Sequence, residues 1–287
     1  MSTVRIDMSR SRIAAQVGAA VLGVVVLIWT LIPVYNMFLI ALSDDGDEFT
    51  GAIWPEDWNW DSFRVVVTQN YWYLQHFWVQ FGNSVIIGVA SMVLTALIAS
   101  LTAFALGRMR LRNGWIVSDT ALLTYILPNA FLVIPFVHLM HVYGLSDSLW
   151  SVVAAQVTFA TPFAILILHQ FGKLIPIEVD EAAKVDGATP LQVYRLVYVP
   201  LLAPALVAVG LFAFLLAWND YLYQFLLLSS PGSSTVAVAI NQFFNSDEAP
   251  WNYMMAVALI YALPPVAVYF VLRRFVISGL TLTRLVR

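Results

Sequence analysis

The chain has 287 residues, of which 61% are hydrophobic and only 11% charged, and its formal net charge is −3. Ordinary globular domains carry about 25% charged residues, so this composition, with a mean hydropathy of +0.81, excludes a typical water-soluble domain and points to membrane spans. The absence of cysteine excludes disulfides, thiolate metal sites and thiol catalysis, and no nucleic-acid partner is expected.

Apolar runs predict an all-α membrane protein with six transmembrane helices, at about 13–42, 80–107, 115–138, 149–171, 201–228 and 253–276. Each is long enough for a bilayer core that takes about 20 apolar residues to cross. No composition shift, low-complexity tract or repeat divides the chain, so residues 1–287 are expected to form a single transmembrane domain. The first run follows Arg5, Arg10 and Arg12, as a signal peptide would. It is too long for a signal h-region and no A-x-A site follows, so it is expected to remain as an anchor.

Basic residues set the orientation. Threading six spans puts the N-terminal arginines, Arg108, Arg110, Arg112, Lys173, Lys184, Arg195, Arg273, Arg274, Arg284 and Arg287 on one side. Only Arg64 falls on the other, which collects Asp44, Asp45, Asp47, Glu48, Glu56, Asp57, Asp61, Asp147, Asp247 and Glu248. The positive-inside rule then makes both termini cytoplasmic. Trp54, Trp58, Trp60, Trp72 and Trp78 cluster in the outer loop between the first two spans. They suit an interfacial aromatic belt, with sugar stacking as the alternative.

In the third span Tyr125 and Asn129 flank Pro128, with Pro135 beyond. Proline frees a carbonyl and bends a helix, which is useful beside a moving pathway, and Asn129 is a candidate pathway residue. His138 and His141 share a helical face but have no third ligand at helical spacing, so no metal site is expected. Gln156, Thr158 and Thr161 in span four are candidates for bonds between helices.

The segment 172–200 is different in kind. Pro176 suits a first helical position, Glu178, Asp180 and Glu181 sit where the helix dipole favours acids, and Lys184 lies near the C-terminal end. Gly187 can take a left-handed conformation and stop the helix. Thr189, Pro190 and Gln192 read as a capping box that starts a second helix, expected to end at Pro200. The result is a preformed bend on the cytoplasmic side, with Ala182 and Ala183 as a flat patch among acids. It is either a lever for a partner or a capped connector.

Glu181-Ala182-Ala183, Asp186-Gly187-Ala188 and Leu196 through Val199-Pro200-Leu201 resemble the EAA signature of binding-protein-dependent ABC importer permeases. Val199-Pro200 stands where that family has Leu-Pro. Asn83-Ser84, Ala103 through Arg108, Trp218-Asn219-Asp220 and Ser278-Gly279-Leu280-Thr281 are similar to the maltose-transport (MalG-type) subfamily, while the glycine-rich ending is replaced by Arg284-Leu285-Val286-Arg287.

The resemblance implies a bacterial inner-membrane permease subunit for sugar uptake, without catalysis or cofactor of its own. Its partners are a second permease, two ATPase subunits holding ATP and Mg, and an extracytoplasmic solute-binding protein or lipoprotein. It also implies that 172–200 is the coupling helix, docked on the ATPase through Glu181, Ala182, Ala183, Asp186 and Gly187.

In span five, Trp218-Asn219-Asp220 is the most polar intramembrane stretch. Asp220 could accept hydrogen bonds from sugar hydroxyls with Trp218 as a stacking face, or the group could hold helices together. The loop 229–252 is longer than a simple connector. In the family the corresponding loop reaches toward the binding protein's cleft; a cap over the spans is the alternative. The chain has no G-x-x-x-x-G-K-[ST], so it has no P-loop. An ion-driven secondary transporter remains the competing class, along with permeases for polyols or glycerol phosphate.

Overall fold

The computed structural model describes residues 4–44, 53–54, 58–109, 114, 116, 120, 123–124, 128–245 and 250–285. Readings that rest on Arg110, Arg112, Asp119, Tyr125, Asp45, Asp47, Glu48, Glu56, Asp57, Asp247, Glu248 and Arg287 lie outside the described residues, as do the side chains of Ser278–Thr281.

In chain order the α-helices are α1 (Val4–Ala41), α2 (Asp61–Thr68), α3 (Phe77–Arg108), α4 (Val133–Val142), α5 (Leu149–Lys173), α6 (Ile177–Val185), α7 (Pro190–Val193), α8 (Val199–Asn219), α9 (Leu222–Leu227), α10 (Val236–Gln242) and α11 (Trp251–Leu285). Among the described residues there is no strand, and five helical stretches are long and apolar enough to cross a membrane: Ala15–Ala41, Trp72–Arg108, Leu149–Lys173, Pro190–Asn219 and Trp251–Arg273.

The sequence-predicted elements and the structure differ at several points. The first span, expected over 13–42, is met by the apolar stretch Ala15–Ala41, and its helix begins earlier, at Val4. The third does not run unbroken over 115–138: Pro128 is extended, Asn129–Leu132 form a 3₁₀ turn, and the helix begins at Val133. Pro135 then falls in the first turn of α4, where its missing N–H has no intrahelical partner to lose. The fifth breaks at Asp220, whose backbone is extended (ψ 132), before α9 begins.

Pro200 does not end the hairpin's second helix. α7 runs through a π-helical turn, Tyr194–Tyr198, into α8. Proline cannot donate to the carbonyl four residues back and its ring crowds that carbonyl. A wider i→i+5 turn removes the clash without breaking the helix, and the Val199 N–H bonds the Tyr194 carbonyl.

The chain forms two compact units, Met1–Tyr71 with Ser246–Ile260, and Trp72–Asn245 with Tyr261–Arg287. In the first, every described side chain from Ala15 to Asn36 is exposed, and burial begins at Ile40–Leu42. Such a uniformly apolar, uncovered helix is stable only against lipid or another apolar surface. Near its C-terminal end Phe38 packs edge to face on Trp58 and Trp60, and Phe63 packs at a tilt on Phe38 and Trp60. Asn252 Nδ2 donates to the Ser43 carbonyl at 3.4 Å.

In the second unit α3, α5 and α8 pack against one another. Their core is apolar at one end, around Phe104, Leu168, Tyr198 and Leu202. A second cluster holds Ile87, Val152, Tyr223 and Leu227. Ser148 opens α5, its Oγ accepting the Trp150 N–H at 3.3 Å.

Candidate functional site

The bend after α5 is built by local chemistry. Pro176 is extended and caps α6 instead of occupying its first turn, with Glu178 and Asp180 in that turn and Lys184 in the last. Gly187 has φ +84, the left-handed region open to glycine. Around it the Gly187 N–H reaches the Lys184 carbonyl and the Ala188 N–H the Ala183 carbonyl, both at 3.0 Å. Thr189 and Gln192 then close a capping box: the Thr189 N–H donates to Gln192 Oε1 at 2.7 Å, and Thr189 Oγ1 accepts the Gln192 N–H at 3.4 Å. Glu181, Ala182, Asp186 and Gly187 are exposed and Ala183 is half-buried. Val185 is 87% exposed, an apolar side chain displayed beside two acids.

The underside of this bend holds a pair that sequence reading missed. Asp180, 2% exposed, and Arg108, 10% exposed, approach to 2.7 Å between Oδ2 and Nε. Arg108 also donates through Nη2 to the Ile175 carbonyl at 2.8 Å and the Gly172 carbonyl at 3.4 Å. Its guanidinium lies 5.8 Å from the Tyr198 ring centre. Nearby, the Tyr194 hydroxyl hydrogen-bonds Ser100 on α3 at 2.7 Å. The sequence signal was a charge flush with the end of a long apolar run, which served for orientation and for the family resemblance but named no partner.

The pathway candidates are brought together in part. The Trp218 ring is buried between Phe214 and Tyr261, at 5.3 and 4.5 Å between ring centres, and Tyr261 donates to its carbonyl at 2.7 Å. It therefore presents no free stacking face within this chain. Asn219 is exposed, its Nδ2 donating to the Leu215 carbonyl at 2.9 Å. Asp220 accepts the Gln224 N–H at 3.2 Å and a hydrogen bond from Gln156 of α5. Thr158 and Thr161, by contrast, bond the carbonyls four residues back on their own helix. Exposed Asn129 is joined to this region through its carbonyl, which accepts the Tyr223 hydroxyl at 2.8 Å. Phe212, Leu215, Leu216, Asn219 and Asp220 line an open concavity of about 420 Å³, hydrocarbon on its walls with an amide and a carboxylate at one end.

The start of the loop 229–252 is pinned. Asp147, held at φ 55, accepts the Ser229 and Ser230 N–H groups at 2.8 and 3.2 Å and the Ser233 hydroxyl. Partial burial pushes its carboxyl up, but the Ser233, Ser229 and Ser230 donors outweigh that and hold it well below the usual carboxylate range. Asn83 Nδ2 donates to the Gly232 and Ser234 carbonyls at 2.9 and 2.8 Å, and Ser84 Oγ accepts the Val236 N–H at 3.2 Å. Thr235 donates to Gln224.

Among the described residues the chain is all-helical, with five helices long and apolar enough to cross a membrane and a displayed, capped hairpin. Residues 101–281 match the family described as binding-protein-dependent transport system inner membrane component, and the chain belongs to that family as a multi-pass inner-membrane protein. It is 32% identical over 265 residues to the diacetylchitobiose uptake system permease protein DasC of Streptomyces coelicolor, covering 91% of this chain and 94% of that protein. It is 31% identical over 264 residues to the trehalose transport system permease protein SugB of Mycobacterium tuberculosis, again covering 91% and 94%. Its fold is similar to a chain in the crystal structure of a bacterial ABC transporter involved in the import of the acidic polysaccharide alginate. That match has TM-score 0.78 at 22% identity and covers 92% of this chain and 97% of that one.

Proposed function

We propose that this chain is one of two permease subunits of an ATP-driven importer of small carbohydrates. Six spans place both termini and the α6–α7 hairpin in the cytoplasm, where Glu181, Ala182, Ala183, Asp186 and Gly187 meet an ATPase subunit that holds ATP and Mg. A solute-binding protein delivers cargo on the other side. The observation that carries this reading is the hairpin: four of those five residues are exposed, on the last turns of α6 and in the bend where a left-handed glycine stops it and a complete capping box starts the next helix. A connector has no need to display Val185 and two acids outward; a docking lever does.

The carbohydrate assignment draws on the relatives' named cargoes, diacetylchitobiose and trehalose, and on the concavity at Asn219 and Asp220. Its lining contains a carboxylate and no basic side chain, which favours a neutral polyhydroxy solute over glycerol phosphate, because a phosphate beside an unpaired carboxylate is repelled.

The test is reconstitution in proteoliposomes with a second permease, the ATPase and the binding protein. Uptake of a labelled disaccharide is expected only with ATP inside and the binding protein outside. Uptake by this chain alone, driven by an ion gradient, would sink the reading.

A further inference from the structure

We propose that Arg108 is a positioning residue of the transport cycle, a swivel at the end of α3 on which the α6 hairpin turns while staying attached. The proposal rests on the permease reading above. One side chain reaches four elements: it leaves α3, donates to the carbonyls of Gly172 at the end of α5 and Ile175 in the following turn, pairs with Asp180 in α6, and lies over Tyr198 in the π-helical turn that leads to α8. A displacement of α6 relative to α3 changes the Asp180 contact of this group.

The pair is unusual in geometry. Arg108 Nε and Asp180 Oδ2 are 2.7 Å apart, yet neither Asp180 oxygen makes an aligned hydrogen bond among the described residues. A buried carboxylate ordinarily has its lone pairs filled by directional donors. Here charge holds the two groups at 2.7 Å without an aligned hydrogen bond, so a turn of α6 about the guanidinium breaks no directional bond to Asp180. The directional bonds are all on the other side, to Gly172 and Ile175, and fix the guanidinium itself. Three grips outside α6, on Gly172, Ile175 and the Tyr198 ring, and one undirected grip on α6 describe a pivot rather than a simple staple. Truncating one partner would leave an unpaired buried charge, which neighbouring groups can relieve only by moving.

The chain's lack of cysteine makes the test direct. Leu101→Cys on α3 and Val179→Cys on α6, both exposed, carry spin labels in the assembled transporter, and their distance distribution is measured together with ATP hydrolysed per solute transported. With Arg108 and Asp180 intact, a narrow distribution is expected that shifts on ATP binding. Asp180→Asn and Arg108→Lys should each broaden it and raise the ATP hydrolysed per solute transported, because each disturbs a buried charge pair. The binding protein's half-saturating concentration should be unaltered, and Asp180→Glu should recover much of the coupling.

Unchanged distances and coupling in either assembled variant overturn the proposal. So does loss of assembly in both, which would make the pair a folding element only. A transporter with Arg108 and Asp180 intact that shows no ATP-dependent uptake fails the permease reading instead, and the label distances still report the pivot.

Discussion

At position 220 isosteric chemistry separates a structural role from the proposed contact with solute. The Asp220 carboxylate receives the Gln224 N–H and so holds the start of α9. Asparagine keeps an acceptor there, whereas alanine does not. Asp220→Ala is therefore expected to lose about 1 kcal/mol of cap stability, as at helix N-caps, while Asp220→Asn retains most of it. If the carboxylate also meets solute, both variants lower sugar uptake, read as rate per assembled complex, and Asp220→Asn does so with unaltered thermal stability. Asp147 permits a pH statement. Its folded pKa lies below the ordinary 3.8, so its anchoring is fully present above that value and is lost only as pH falls through the lower folded value. Amide exchange at Ser229 and Ser230, corrected for intrinsic rate, should be flat from pH 8 to 5. Asp147→Ala should raise it across that whole range. An increase in the intact protein between pH 7 and 5 would contradict the assignment.

At the scale of elements the hairpin is the clearest product of local rules. Thr189, Pro190 and Gln192 announced the second helix, and the structure closes the same capping box. Gly187 announced the stop, and its φ of +84 is the conformation that stop requires. No heavy atom lies within 4 Å of a Cβ built on Gly187, so a substitution there acts through the backbone alone. Gly187→Val is expected to strain the turn by about 1–2 kcal/mol and to uncouple ATP hydrolysis from uptake, while Gly187→Asn, which tolerates the left-handed region, should be milder. Equal effects of the two would count against the bend as the operative feature. The π-helical turn before Pro200 was not legible. Proline says that a regular helix cannot continue unaltered, but whether the chain stops or widens depends on what surrounds it. Here Tyr194 and Tyr198 are both buried, against Phe104 and Ser100 of α3, so a widened turn keeps two anchored rings that a break would expose. Asp220 shows the reverse case: a continuous apolar run hid a helix end because the capping carboxylate serves α9, not α8.

At the scale of the whole molecule, topology is tested by the same cysteine-free background. Val185→Cys should resist a membrane-impermeant thiol reagent applied to intact cells and react only after permeabilisation, while Ser230→Cys should react from outside; reversed labelling would overturn the six-span orientation. Membrane residence and the positions of most spans were determined by the sequence itself, because hydropathy summed over about 20 residues is enough to choose bilayer over water. The hairpin's caps were equally local, since their donors and acceptors lie within three or four residues of each other. Only the tertiary structure decided that Trp218 is a packed ring rather than a free stacking face, and that Asn83 holds the Gly232 and Ser234 carbonyls, 149 and 151 residues along the chain. It also decided that Arg108 grips Asp180. The physical reason is range. Propensity, capping and hydropathy act between neighbours in sequence, whereas the partner of a buried polar group is whichever one the packing of α3, α5 and α8 brings within about 3 Å.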